Sequence, residues 1–412
     1  MKFLPVFAIL FAVALAPVAR GDTTAALDAK LTSPPLAGFP LIFDLTITNT
    51  SPAGDKPPSF MYFGGDGVYP SAIGFEVRIT DRAGHVIHRG LQNAQYHMGS
   101  RGGPHPIDQS LTFPAVADGL ATGDYTLFIF TAGGSVGLPP MRSPALKVTI
   151  RDDAAAFKRA AQPYSAAPAS VPAKTFTDFV GITYGFSPIV NQWLADLAKP
   201  EADAATLRMA AIRLSSVVRL PAGSESILKE AVARLQNKPP ADMTAGDQAQ
   251  TIQSLIRCAA HIGTDAGTEI VLSVAQGDTP QRSYAVSALG GCPGQRIDDL
   301  LVALSKDPDA NVARNAQIAL GARGNPIALS FAKEALKTPY TTASPTGRGP
   351  SGPTTMAITA ATMILLGLSD NPEAQKIIKE VSADPQSPLR SNGALQLLTR
   401  LQLLEQGPAT RP

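Results

Sequence analysis

The sequence has little net charge and no long apolar run. Lys and Arg together number 35 and Asp and Glu number 33, a net charge of +2 in 412 residues. A nucleic-acid-binding protein needs an excess of cations, so this class is excluded. After the first twenty residues no run reaches the roughly 18 apolar positions of a membrane-spanning helix. With 44% apolar residues the chain is expected to fold, and its length fits two or three domains.

The sequence also lacks the motifs that would name a reaction. No His-Glu-x-x-His zinc motif occurs, and no glycine-rich loop leads into the Lys-Ser/Thr helix of a phosphate site. Ordinary surface histidines are a better interpretation than metal ligands, because the five are not spaced as a converging set. These residues are His85, His88, His97, His105 and His261. The sequence predicts no metal, no cofactor and no enzymatic activity.

The first residues have the pattern of a secretory signal. Lys2 precedes a mostly apolar run at 3–16, and small residues allow cleavage after Ala16 or Gly21. We expect 1–21 to be a signal peptide and the mature protein to be periplasmic or extracellular. A buried N-terminal helix is the alternative. No cysteine lies near either cleavage position, so a lipid anchor is not expected.

The region from 23 to 150 alternates apolar and polar residues with a period of two, the pattern of half-buried strands. One such run contains Leu41, Phe43, Leu45 and Ile47. Turn sequences separate about seven such strands, which predicts an antiparallel β-sandwich over 22–152.

The segment 120–127, Leu-Ala-Thr-Gly-Asp-Tyr-Thr-Leu, resembles the tyrosine corner of immunoglobulin-like and fibronectin-III-like domains. The resemblance implies that the Tyr125 hydroxyl bonds back to nearby backbone. This half of the chain has no cysteine and no tryptophan, so an antibody-type core is excluded.

A change of composition follows at 153–188. A short helical stretch begins near Asp153, and 166–172 is rich in proline and alanine. This composition predicts a linker between two domains.

From 189 to 405 the apolar period becomes helical and a larger repeat appears. An apolar residue followed by glycine recurs at Ile262-Gly263, Leu289-Gly290, Leu320-Gly321 and Leu366-Gly367. Small residues nearby allow helices of adjacent units to approach closely. Repeats of this size predict an α-solenoid at 189–405, followed by a disordered tail at 406–412.

The segment 307–321, from Asp-Pro-Asp-Ala-Asn-Val to Ala-Leu-Gly, resembles the short bacterial HEAT repeat. In that family an Asp-Pro turn precedes the second helix. The resemblance implies that Arg282, Arg314 and Arg390 pair with the aspartate of the preceding turn. The alternative is a cationic stripe for an anionic partner. Ala313 occupies the family's arginine position in this segment, and Arg314 follows it.

Cys258 and Cys292 are the only cysteines. They differ by seven residues in their position relative to the repeat glycines, about 10 Å along a helix. A disulfide needs Cα atoms within about 7 Å, so two buried thiols are favoured over a bridge.

Two segments are candidates for recognition. The first is aromatic and contains Phe60, Tyr62, Phe63 and Tyr69, which form either a ligand platform or part of the core. The second is an insertion in the repeats containing Tyr340 and Arg348, either a binding loop or a spacer.

The sequence thus predicts an immunoglobulin-like β-sandwich followed by a HEAT-like α-solenoid. Because a solenoid offers an extended surface, the first hypothesis is a non-enzymatic protein-binding or scaffolding protein. Its partner would be another protein or an extended peptide. The alternative hypothesis is glycan binding by the aromatic segment of the sandwich.

Overall fold

The computed structural model describes most of the chain after the first 24 residues. The described residues are 25–50, 71–93, 110–132, 140–165, 175–221, 223–337, 353–384, 387, 389 and 393–405. The predicted signal peptide and the predicted tail at 406–412 lie outside them.

Eight strands make up the first part. They are β1 (Ala25–Leu31), β2 (Leu41–Asn49), β3 (Ser71–Asp81), β4 (Val86–Asn93), β5 (Ser110–Ala117), β6 (Gly123–Thr131), β7 (Met141–Arg142) and β8 (Leu146–Ile150). They hydrogen-bond in the order β1-β2-β5-β4-β3-β6-β7, and β8 also pairs with β6. Every pair is antiparallel, and the single pair Gln92↔Val116 joins β4 to β5.

The strands bury the alternate residues that the sequence indicates. Leu41, Phe43, Leu45 and Ile47 of β2 all lie in one apolar core with residues of β1, β3 and β6. Ile42, on the opposite face of β2, is also buried, because the helices that follow the strands pack against it.

The hydrogen bond of a tyrosine corner is present. Tyr125, near the start of β6, donates from its hydroxyl to the carbonyl oxygen of Ala121 over 3.2 Å. This bond ties the start of β6 to the loop before it, as the resemblance implied.

Fourteen helices are described between 154 and 405. They are α1 (Ala154–Ser165), α2 (Phe176–Thr183), α3 (Ile189–Ala198), α4 (Ala204–Leu214), α5 (Ser224–Asn237), α6 (Ala245–Ile262), α7 (Asp265–Ala275), α8 (Arg282–Ala288), α9 (Gln295–Leu304), α10 (Ala310–Ala322), α11 (Ala328–Leu336), α12 (Pro353–Gly367), α13 (Pro372–Ala383) and α14 (Gly393–Glu405). None of them is both long and apolar enough to cross a bilayer.

Glycine allows α10 and α12 to touch backbone to backbone. A Cβ atom at Gly367 would lie 2.4 Å from the carbonyl oxygen of Gly321. A Cβ atom at Gly321 would lie 2.8 Å from Cα of Ile364. Both distances are shorter than two atoms tolerate, so only glycine fits at this crossing.

The predicted fold class, a multidomain chain with an all-β immunoglobulin-like sandwich followed by an all-α HEAT-like solenoid, is wrong. The chain has a mixed arrangement in which a β region at 25–150 is followed by helices at 154–405 that pack onto it. The range 153–188, predicted as a linker, contains α1 and α2. Phe39, before β2, stacks on Phe186 and meets the edge of Phe157 in α1.

The last helix also returns to the sheet. Leu403 of α14 is buried together with Phe128 and Phe130 of β6. Sequence patterns within single elements could not show this packing, because it joins residues far apart in the chain.

The repeat arginines differ from the pairing that the HEAT resemblance implied. Arg282 forms a bidentate ion pair with Asp307, in which Nη1 lies 3.2 Å from Oδ1. Asp307 lies in the turn between α9 and α10, which comes after Arg282 in the chain and not before it. Arg314 donates to Asn311 over 3.3 Å. Arg390 lies outside the described residues.

Cys258 and Cys292 are both free and buried. Burial raises the pKa of each thiol above its ordinary value. The structure therefore shows two thiols rather than a bridge.

Candidate peptide-binding groove

The recognition residues that the sequence singled out are not among those the structure describes. They are Phe60, Tyr62, Phe63, Tyr69, Tyr340 and Arg348.

The histidines within the described ranges do not gather into a metal centre. His85 pairs with Asp81 over 2.9 Å on the exposed hairpin between β3 and β4. His88 bonds to Asp370, while His97 and His105 lie outside the described ranges. Within those ranges no group of three or more His, Cys, Asp or Glu side chains could hold a metal.

One short motif was overlooked in the sequence. Residues 133–137, Gly-Gly-Ser-Val-Gly, have the Gly-x-Ser-x-Gly spacing of a serine-hydrolase nucleophile elbow. That elbow requires a strand before the serine and a helix after it. Here the motif falls between β6 and β7, and the motif itself lies outside the described residues. The element after the motif is the strand β7, whereas a nucleophile elbow has a helix at this place.

A groove in the described structure lies between β1 and β8. Its volume is about 870 Å³, and it is lined by 28–31 of β1 and 146–149 of β8. Leu36 and Arg151 lie at one end, where a parallel β-bridge joins them. Ala37 donates to the carbonyl of Arg151 over 2.8 Å and closes that end. At the other end β1 approaches β7.

Each wall of this groove is a strand with one edge that pairs with no other described strand. Among the described strands β1 pairs only with β2, and β8 pairs only with β6. The opposite edges of 29–31 and 146–149 face the groove and form no ladder with any strand of the described ranges. Unpaired edges of this kind are templates for another strand.

The floor of the groove is apolar. Leu31, Leu146 and Val148 are half-buried and pack against the core of the β region. Their exposed parts are apolar surface that an added strand would cover. Burial of such surface is favourable by about 25 cal/mol per Å².

The rim of the groove carries three cations and two carboxylates. Lys30 and Lys147 are exposed, one on each wall, and neither has an ion pair or side-chain hydrogen bond within the described structure. Arg151 is exposed at the closed end. The two carboxylates are Asp28, on the same exposed face of β1 as Lys30, and Asp153, which accepts a hydrogen bond from the Ala156 amide over 2.8 Å and caps α1.

A second polar cluster joins the sheet to the last helices. Arg78 of β3 and His88 of β4 both donate to Asp370, between α12 and α13, and the Arg78 Nε contact is 3.1 Å. Glu76 of β3 pairs with Arg400 of α14, which also donates to Ser369 over 3.0 Å.

The cluster is best understood as structural. Burial alone would raise the pKa of Asp370, but the hydrogen bonds and charges of His88 and Arg78 outweigh burial and lower it. The carboxylate is therefore ionised and satisfied at neutral pH. It holds two parts of the chain together and is not poised for acid–base chemistry.

No protein-family model and no curated protein matches this sequence. The geometry of the groove is therefore the main guide to function.

Proposed function

We propose that this protein is a non-enzymatic binding protein that takes up an extended segment of a partner protein as an added strand between β1 and β8. The observation that carries the proposal is a pair of strand edges that face each other across one groove and are unpaired among the residues that the structure describes. In strand addition, main-chain hydrogen bonds supply affinity and alternate side chains supply specificity. The groove offers both, because the backbone edges of its walls can form the hydrogen bonds and its apolar floor can contact the alternate side chains.

The size of the groove fits a short segment. Four residues of each wall line it, which corresponds to about 13 Å at the rise of a β-strand. Because the Leu36–Arg151 bridge closes one end, the ends of a bound segment would turn out toward solvent. A loop or a chain end of a partner protein has this shape.

The side chains of the groove support binding over catalysis. Its polar members are Asp, Lys, Arg and Thr, and the one hydroxyl, Thr149, donates to Asp124 over 2.7 Å. This hydroxyl is therefore engaged with a carboxylate, and no histidine lines the groove to serve as its general base. The N-terminal sequence pattern supports a place outside the cytoplasm for this binding.

The proposal is tested with peptides selected by the full chain from a random heptapeptide library on phage. Binding of the selected peptides is measured by fluorescence anisotropy before and after a bulky maleimide is attached to Lys147→Cys in the groove. Lys306→Cys, which is exposed after α9, is the matched control. Both native thiols are buried, so the label goes to the introduced one.

We expect the label at position 147 to weaken binding at least tenfold and the label at position 306 to leave it unchanged. Failure to enrich any peptide, or equal binding by the protein labelled at position 147, would contradict the proposal.

A further inference from the structure

We infer that the segment bound in the groove runs antiparallel to both β1 and β8, and that it alternates apolar residues with acidic ones. This inference rests on the proposed function and specifies its ligand.

The direction follows from the order of the strands. Six antiparallel steps lead from β1 through β2, β5, β4, β3 and β6 to β8. An even number of reversals gives β8 the same direction as β1. The parallel bridge between Leu36 and Arg151, just past the ends of both walls, agrees with this.

Because β1 and β8 run in the same direction, a strand added between them has the same orientation relative to both. An added strand is therefore either antiparallel to both or parallel to both. Antiparallel ladders are slightly more stable per residue than parallel ones. An antiparallel segment would also continue the pattern of the sheet, in which every described pair of neighbouring strands is antiparallel. It would be an eighth strand beside the seven on the path from β1 to β8.

The side chains of the added strand alternate between the two faces of the sheet. Those facing inward meet Leu31, Leu146 and Val148, which belong to the apolar surroundings of the core. Apolar side chains are therefore required at every second position. A charged side chain there would be buried without a partner.

The outward side chains lie between Lys30 and Lys147. Both ammonium groups are exposed and have no ion pair within the described ranges. Opposite charges on neighbouring strands attract, and like charges repel. Acidic side chains at the outward positions next to Lys30 and Lys147 complement these charges, whereas basic ones oppose them.

The test uses three end-blocked nonapeptides and the full chain. One alternates Val and Glu, one alternates Val and Lys, and one has the composition of the first with its valines and glutamates in separate blocks. Anisotropy titrations are run with the wild type and with the Lys30→Glu/Lys147→Glu variant, whose two substitutions are on the surface.

We expect the Val/Glu peptide to bind the wild type at least tenfold more tightly than either other peptide. The double variant should reverse the preference and favour the Val/Lys peptide. An unchanged preference in the variant, or equal binding of all three peptides, would overturn the acidic pattern.

Direction is read with a nitroxide attached to Asp152→Cys, next to the closed end of the groove. In the antiparallel arrangement the N-terminal valine of the Val/Glu peptide lies near this label, and its NMR signals broaden most. Stronger broadening of the C-terminal valine would overturn the antiparallel direction.

Failure of the inference and failure of the proposed function are distinguishable. If the phage-selected peptides bind in the groove but the Val/Glu peptide does not, the ligand class is wrong and strand addition stands. If the selected peptides are insensitive to the label at position 147, the groove itself is not the site.

Discussion

Asp370, in the turn between α12 and α13, is hydrogen-bonded to Nε2 of His88 in β4, although 282 residues separate them in the sequence. Arg78 of β3 contacts the same carboxylate, with Nη2 3.0 Å from Oδ1. One side chain thus joins the hairpin of β3 and β4 to the helical part of the chain.

Replacing this carboxylate should weaken the junction. We expect Asp370→Asn to lower the free energy of unfolding by about 1–3 kcal/mol at pH 7, because hydrogen bonds to a charged group are lost. Urea unfolding measures the change. Asp152→Asn, at an exposed position after β8, is the control and should change stability by no more than about 0.5 kcal/mol. Equal effects of the two substitutions would contradict the assigned role of Asp370.

The same contacts predict how stability depends on pH. The folded-state pKa of Asp370 lies below its ordinary value of 3.8, so the carboxylate contributes stability above that value. Its contribution is lost as the pH falls through the lowered folded-state pKa. The difference between wild type and Asp370→Asn should therefore shrink when unfolding is measured at pH values below 3.8. A difference that grows as the pH falls through this range would be inconsistent with the lowered pKa.

The crossing of α10 and α12 gives a second stability test. Gly367→Ala would place a methyl group against the backbone oxygen of Gly321 and should cost about 1–3 kcal/mol through overpacking. At Gly291, by contrast, an added Cβ has nothing within 4 Å. Gly291→Ala is therefore the matched control and should be neutral or slightly stabilising in the same thermal or urea experiment. If Gly367→Ala left the stability unchanged, the backbones of α10 and α12 would have to lie further apart than the contact between Gly367 and Gly321 requires.

The cysteines should behave as two protected thiols. Titration of the unfolded, unreduced protein with a thiol reagent is expected to count both, while Cys258 and Cys292 react slowly in the folded protein. Burial hinders the reagent and raises the pKa of each thiol, so little thiolate is present. A count of zero after unfolding without reductant would reveal a disulfide.

Local sequence patterns predicted the strands but not what covers them. Alternation marked Leu41, Phe43 and Leu45 as one buried face. It could not show that Ile42, on the other face, packs against α2, because that contact depends on how distant segments meet.

One local signal was available and overlooked. Thr175 and Asp178 form a capping box at the start of α2, with both bonds at 3.0 Å. The Thr-x-x-Asp spacing is readable in the sequence and marks a helix N-terminus. It would have placed a helix within the range that composition assigned to a linker.

The groove could not be predicted from single segments. Residues 28–31 and 146–149 read as ordinary strands, and nothing local indicates which edge of a strand is left unpaired. That property follows from the order of all the strands and from the bridge of Leu36 to Arg151. The aromatic residues that the sequence indicates as candidates, such as Tyr62, are candidates by their chemistry alone.

Hydrogen exchange of the full chain with and without a saturating phage-selected heptapeptide tests strand addition most directly. Amides on the two walls of the groove should exchange more slowly when peptide is bound, because their free edges become hydrogen-bonded. We predict slowing confined to the peptic fragments that contain 28–31 and 146–149. Slowing only in fragments from α10 to α12, or none in β1 and β8 at saturation, would contradict strand addition.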